Sequence, residues 1–190
     1  INAGELEKIK GEIHTFKAKI EGDFPEKNYP TELLLELKIG AKVMFLKNDT
    51  ETPRRFYNGK IGVVHDVGEE RIVIRCEQEE YIEVERGTWE NIGYSANAGT
   101  KQIEEERLGS FTQYPLRLAW AITIHKSQGL TFDKVVIDAG MAFASGQVYV
   151  ALSRCRSLQG VVLLSRIYRT GIQNDLRILE YERNKQSVNQ

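Results

Sequence analysis

The stretch "TIHKSQG", Thr123 to Gly129, crowds two hydroxyls, an imidazole, an ammonium, an amide and a glycine into one short connection. Thr123, His125, Lys126 and Ser127 can each hydrogen-bond a phosphate oxygen, and Lys126 adds a full charge. Gly129 allows a backbone to approach an anion closely. Further along, "GQVYVALSRCR" places Val148, Ala151, Leu152 and Cys155 on one side of a helix that starts near Gln147. Arg154 then falls elsewhere, near Gln147 and Val150 at helical spacing. A planar, permanently charged fork at a helix end is suited to meeting phosphoryl charge. Taken singly, each feature has an ordinary reading: a solvated turn, and a solvated arginine beside Ser153.

The elements around these residues set a frame for them. Residues 1–13 carry Leu6, Ile9 and Ile13 at helical spacing, and "HTFKAKIEG" alternates as a half-buried strand. "DFPEKNYP", with two prolines, is a connection. From Gly40 to about Gln113, "AKVMFLKN", "GKIGVVHDV", "RIVIRC" and "YIEVERG" are short valine- and isoleucine-rich runs parted by turn formers such as Asn58-Gly59 and Gly68. Such strands without an intervening helix predict a small β-barrel of the SH3 or OB type. "PLRLAWAITI", "KVVID", the helix and "GVVLLS" follow, in the cadence of a parallel α/β sheet. In such a sheet the polar connection would sit at the C-terminal end of a strand, where ligands bind. Ile172, Leu176 and Leu179 share one helical face near the end. The helix and strand before residue 40 are expected to belong with the sheet after residue 114.

Composition bounds the reading. At 190 residues and 41% hydrophobic, the chain suits one domain with a small insertion. No run is long and apolar enough to cross a bilayer. Cys76 and Cys155 lack metal-ligand spacing and point to a reducing, intracellular setting. The chain begins at Ile1 inside a helix, so a longer parent protein is expected. The net charge of −1 conceals a split: residues 77–107 hold nine acids against three bases, and residues 116–170 hold seven bases against two acids. The polar connection and Arg154 both lie in the basic segment, where an anion meets a field that the average hides.

Within the barrel segment, Arg54, Arg55, Phe56 and Tyr57 precede the Asn58-Gly59 turn. They could stack on or grip a strand of nucleic acid, and Phe56 and Tyr57 serve equally well as barrel core. Trp89 and Trp120 read as packing residues.

Together the motifs are specific. "LRLAWAITIHKSQGLTFDKVVID" resembles motif V of the superfamily 1 helicases, and "GQVYVALSRCRSLQGVVLLS" resembles their motif VI. The combination is most similar to the PIF (petite integration frequency) helicase family and its relative RecD, of the 5′-to-3′ branch. "INAGELEKI" resembles the tail of motif IV, and "ELKIGAKVMFLKND" followed by "YNGKIGVV" resembles the entry into that family's inserted barrel.

The resemblance implies an α/β fold: a RecA-like parallel-sheet domain interrupted by a small SH3-like β-barrel insertion. Residues 1–46 would be the first part of the second RecA-like domain and 47–113 the barrel. Residues 114–170 would carry motifs V and VI, and 171–190 a helical tail. It also implies an ATP-dependent 5′-to-3′ DNA helicase, associated with DNA repair, recombination and telomere maintenance. Such an enzyme is cytoplasmic in a bacterium, nuclear or mitochondrial in a eukaryote. By motif match Thr123, His125, Lys126 and Ser127 would touch the DNA backbone. Gln128 and Gly129 would lie where the DNA side meets the nucleotide side. Arg154 would be the catalytic arginine finger, and Arg156 and Gln147 would join it, Gln128 and Gly129 in binding nucleotide. No residue is expected to ligate a metal. ATP and Mg2+ would be held mainly by an N-terminal RecA-like domain of the same protein. Single-stranded and forked or structured DNA would be the other partners, with no membrane.

Two departures are visible. Thr131 stands where UvrD-type helicases carry an acid that holds the nucleotide sugar. No GxxxxGK[ST] phosphate loop occurs in these residues, so the chain alone is not expected to hydrolyse ATP. The rival expectations are a non-enzymatic single-stranded DNA clamp on a degenerate RecA-like domain, and a protein-interaction adaptor built on the barrel. An intact Arg154 favours the enzyme, because a clamp has no use for a finger.

Overall fold

Period-two alternation builds most of the first of two compact units, Ile1–Ala121, and a strand–helix–strand unit makes the second, Ile122–Gln190. The computed structural model describes residues 1–96, 103–140 and 146–168, together with 177, 180 and 181. The helical face expected of Ile172, Leu176 and Leu179 lies outside them.

In the first unit, helix α1 (Asn2–Lys8) precedes strands β1 (His14–Lys17) and β2 (Lys19–Gly22). The expected single strand "HTFKAKIEG" is thus two, parted at the buried Ala18. Strand β3 (Leu34–Leu37) pairs antiparallel with β1. Strands β4 (Lys42–Phe45), β5 (Ile61–Val67), β6 (Ile72–Arg75) and β7 (Tyr81–Val84) fall on the four expected runs. A long hairpin of β8 (Gly87–Ala96) and β9 (Ile103–Gln113) follows, with β2 paired to β9. Strand β10 (Leu116–Leu118) then closes an antiparallel sheet of order β10-β4-β5-β6-β7.

The inward residues explain why these elements pack. Val43, Phe45, Val64, Ile72, Ile74, Ile82, Val84 and Leu116 point into one core, and Leu6, Leu35 and Leu37 join it. The segment before residue 40 therefore packs into this core, with β1 on β3. Phe56 and Tyr57 divide. Phe56 is buried and stacks on Phe45 at 4.5 Å between ring centroids, whereas Tyr57 is 59% exposed. Trp89 packs edge-on to the fully buried Phe111, and Trp120 lies against the core.

One strand ends earlier than its sequence suggests. "PLRLAWAITI" is apolar throughout, yet β10 stops at Leu118 and pairs antiparallel with β4. The cause is remote: the Asn2 amide donates to the carbonyls of Leu118 (3.3 Å) and Ala121 (2.8 Å) and accepts from the Ala121 N–H at 2.8 Å. A side chain satisfies the main-chain groups that a continuing ladder would have used. The polar connection consequently does not sit at the end of a parallel strand.

In the second unit, β11 (Val135–Ile137), helix α2 (Gln147–Leu152) and β12 (Val161–Leu163) form a parallel strand–helix–strand unit. Ile137, Ala139, Val148 and Ala151 are its core, with Ile124, Val135, Leu152, Val161 and Ile167 packed around them. Cys155, expected on the helix's apolar side, lies past the helix end in a parallel bridge to Phe132. Gly160 fits beneath this bridge because it has no side chain: a Cβ there would lie 2.0 Å from the Asp133 carbonyl oxygen and 2.8 Å from Cys155 Sγ. Main-chain atoms cannot yield as a flexible side chain can. Gly160→Ala is expected to cost the unit about 2 kcal/mol or more, read as a lower midpoint in thermal or urea unfolding.

In the first unit Asp49, buried in the β4–β5 connection, accepts from Arg55 Nε at 2.7 Å and Nη2 at 3.3 Å. It also accepts from the main-chain N–H groups of Arg55 (3.0 Å) and Glu51 (3.2 Å). The Arg55 guanidinium, followed by these backbone donors, holds its carboxyl well below the ordinary carboxylate range. Because the folded state binds this proton more weakly than the unfolded chain, the carboxylate stabilises the fold above about pH 4, and that contribution fades as pH falls further. The gap between wild type and Asp49→Asn in urea unfolding is expected to be about 2 kcal/mol at pH 7 and to narrow below about pH 4.

Candidate functional site

The polar connection folds into a single turn of 3-10 helix, His125–Ser127. Thr123 Oγ1 accepts from the Lys126 N–H at 3.3 Å and starts the turn, as hydroxyl residues do at helix beginnings. Thr123, His125, Lys126, Gln128 and Gly129 are exposed. Ser127 turns inward at 7% exposure and donates its hydroxyl to the Ile124 carbonyl at 2.7 Å. Its structural duty is therefore to close the turn. Gly129 has a φ of +80°, a conformation that disfavours side chains, although nothing lies within 4 Å of the position a Cβ would take. Glycine is used here for its backbone freedom.

Arg154 lies two residues beyond the end of α2, half-buried, with each of its three guanidinium nitrogens donating one hydrogen bond. Nε donates to the Val150 carbonyl at 3.0 Å, Nη1 to the Leu130 carbonyl at 3.2 Å and Nη2 to Ser153 Oγ at 3.0 Å. Ser153 passes the chain on by donating to the Val150 carbonyl at 3.1 Å. All three acceptors are neutral. The fork is oriented, but no carboxylate in this set cancels its charge, and an anion is the complement such a group lacks.

The polar turn and the arginine are also joined through the main chain. Phe132 N–H donates to the Arg154 carbonyl at 2.8 Å, and Arg156 N–H donates to the Phe132 carbonyl at 3.0 Å. Cys155 Sγ approaches the Asp133 carbonyl at 3.4 Å, and Arg156 pairs with Asp133 at 3.3 Å on the surface. Arg156, with its side chain 70% exposed, is thus occupied by a carboxylate in a way that Arg154 is not. Gln147 opens α2 and is half-buried. Residues 123–132 and 154–156 form one hydrogen-bonded piece.

Sequence reasoning placed Arg154 beside Val150 and missed Leu130, Ser153 and the Phe132–Cys155 bridge. Three of the contacts run through main-chain carbonyls, which leave no mark in residue type. Ser153 was visible beside Arg154, and its hydroxyl was the one available signal.

Residues 118–162 match the UvrD-like helicase C-terminal domain, a span that holds both the polar turn and Arg154. The chain is 39% identical to the ATP-dependent DNA helicase PIF1 of Rattus norvegicus over 95% of its own length and 28% of that protein's. Among solved structures it is similar to unliganded Pif1 from Bacteroides sp., with 42% identity and a TM-score of 0.84, covering 98% of this chain and 42% of that one. It is also similar to Bacteroides Pif1 bound to single-stranded DNA, with 42% identity and a TM-score of 0.76, covering 99% of this chain and 43% of that one. This chain thus spans less than half the length of these relatives. Over the residues it spans, the chain belongs to the Pif1 helicase family.

Proposed function

We propose that this chain is the DNA-gripping and finger-bearing part of an ATP-dependent DNA helicase that moves 5′ to 3′ on single strands and opens duplex ahead of it. The observation that carries the reading is the uncompensated Arg154 fork, hydrogen-bonded to the same loop that presents Thr123, His125 and Lys126. In this reading β11, α2 and β12 belong to a RecA-like domain with residues 1–46 and 114–170. The antiparallel strands within 47–113 are its SH3-like insertion, and 171–190 is a C-terminal tail. A preceding RecA-like domain of the same protein supplies the phosphate loop and the groups that hold Mg2+.

Each residue's role follows from its chemistry. Arg154 meets charge growing on the transferred phosphoryl group, and its fork geometry lets two oxygens be bonded at once. Each Nη nitrogen has a second N–H to offer an anion, and Nη1 also holds the Leu130 carbonyl, so a shift of the guanidinium toward a phosphoryl group is felt by the loop. Thr123, His125 and Lys126 hold the DNA backbone, and Ser127 keeps their turn closed. Gln128 and Gly129 form the link between the two functions, and Gln147 and Arg156 flank the nucleotide. Closure of the two RecA-like domains on ATP and reopening after hydrolysis would advance the strand.

Two substitutions in the parent protein separate the roles. Arg154→Ala is expected to lower ATP turnover by about 10³-fold or more while DNA affinity stays within a few-fold. Turnover near wild type would remove Arg154 from the chemistry. Lys126→Ala is expected to weaken DNA binding and to reduce the slope of log affinity against log salt by about 0.7, one single-strand phosphate contact. An unchanged slope would take Lys126 off the DNA path.

A further inference from the structure

A second surface, on the five-stranded sheet of the first unit, carries the chemistry of a strand-binding groove. Strand register aligns Lys42, Val63, Arg75 and Tyr81 in one row across β4, β5, β6 and β7. Lys42, Arg75 and Tyr81 are exposed and Val63 is half-buried between them. At about 4.8 Å between neighbouring strands, the row is about 14 Å long. His65 sits where the β5–β6 register shifts and meets Tyr81 edge-on, with ring centroids 4.7 Å apart. Val63, His65, Arg75 and Tyr81, together with Ile39, Gly40 and Val64, line a groove of about 250 Å³, and Lys42 stands beyond it at the β4 end of the row.

The partners of the neighbouring charges decide what the groove fits. Glu80 is paired with Lys60 at 2.5 Å, and Glu83 is paired with Arg71. Among the described residues neither Lys42 nor Arg75 forms an ion pair. Glu77 and Glu79, in the turn before β7, and Asp66 on β5 are the nearby acids that form no ion pair among the described residues. The row therefore interleaves two cations that form no ion pair with an aromatic pair: Arg75, on β6, lies between the strands that carry His65 and Tyr81, and Lys42 ends the row on β4. Ile39 and Tyr81, 52% and 53% exposed, give the groove apolar walls that water solvates poorly. A stacking surface beside a line of positive charge is the combination that holds single strands without reading their sequence.

We infer that this groove is a binding site for single-stranded DNA, separate in residues and in chemistry from the 123–129 turn. A base lies against Tyr81 and His65 with Ile39 opposite, and the flanking phosphates meet Arg75 and Lys42. This site goes beyond the motor reading and does not depend on it.

The test is a titration of fluorescein-labelled oligothymidylate with the full chain at several salt concentrations, read by anisotropy. Tyr81→Ala is expected to weaken binding about tenfold, and Tyr81→Trp to keep it, because stacking needs a ring rather than a phenol. The double change Lys42→Ala with Arg75→Ala is expected to lower the salt slope by about 1.4, two phosphate contacts. All three side chains are exposed, so unfolding midpoints should match wild type. Wild-type affinity in Tyr81→Ala, equal weakening by Ala and Trp, or an unchanged slope in the double variant would each overturn the site. Lys126→Ala run beside them keeps the two readings apart. Weakening by Lys126→Ala alone sinks the groove and leaves the turn, and weakening by Tyr81→Ala alone does the reverse.

Discussion

Two main-chain hydrogen bonds on either side of Cys155 hold the candidate site together. The Phe132 N–H to the Arg154 carbonyl and the Arg156 N–H to the Phe132 carbonyl tie the polar turn to the segment after α2. Backbone bonds of this kind fix position far better than paired surface side chains do. Gly160 is the residue that makes room for them, since any side chain there would strike the Asp133 carbonyl. The arginine's own three bonds then set its direction, and among the described residues no carboxylate pairs with it.

Charge follows the same division of labour. The acids from Glu77 onward crowd one stretch of the antiparallel unit, and three of them are matched by bases: Glu80 by Lys60, Glu83 by Arg71 and Glu90 by Arg107. Surface pairs like these add little stability, but they neutralise fields that would repel a polyanion. Lys42, Arg75 and the Arg154 fork are among the described cations that form no ion pair with a carboxylate. A net charge of −1 is therefore no guide to how this molecule meets phosphate.

Some of this was legible in the sequence and some was not, for physical reasons. Strands β4 to β7 were readable because one face is buried, which forces alternation such as the inward Val64, Ile72 and Ile74. Arg154 was singled out through the resemblance of "GQVYVALSRCRSLQGVVLLS" to motif VI, because alone an arginine beside Ser153 reads as a solvated side chain. The β8–β9 hairpin was not picked out: it mixes Gly93, Asn91 and a run of glutamates, and its pairing is sustained by backbone ladders more than by apolar rows. The length of β10 was overread because Asn2 ends it from more than a hundred residues away. No local pattern records such a contact. Phe56 and Tyr57 could not be told apart for a simpler reason: adjacent residues point to opposite sides, and nothing in their types says which faces in.

We propose that this chain is one side of a divided motor, in which the 123–129 turn and Arg154 belong to one hydrogen-bonded piece. ATP hydrolysis by the full-length parent, with and without oligothymidylate, beside the 190-residue chain alone, tests it most directly. Strong stimulation of the parent by the oligonucleotide is expected, with no turnover by the chain alone. Turnover by the isolated chain, or a parent that binds DNA and never hydrolyses ATP, would contradict it.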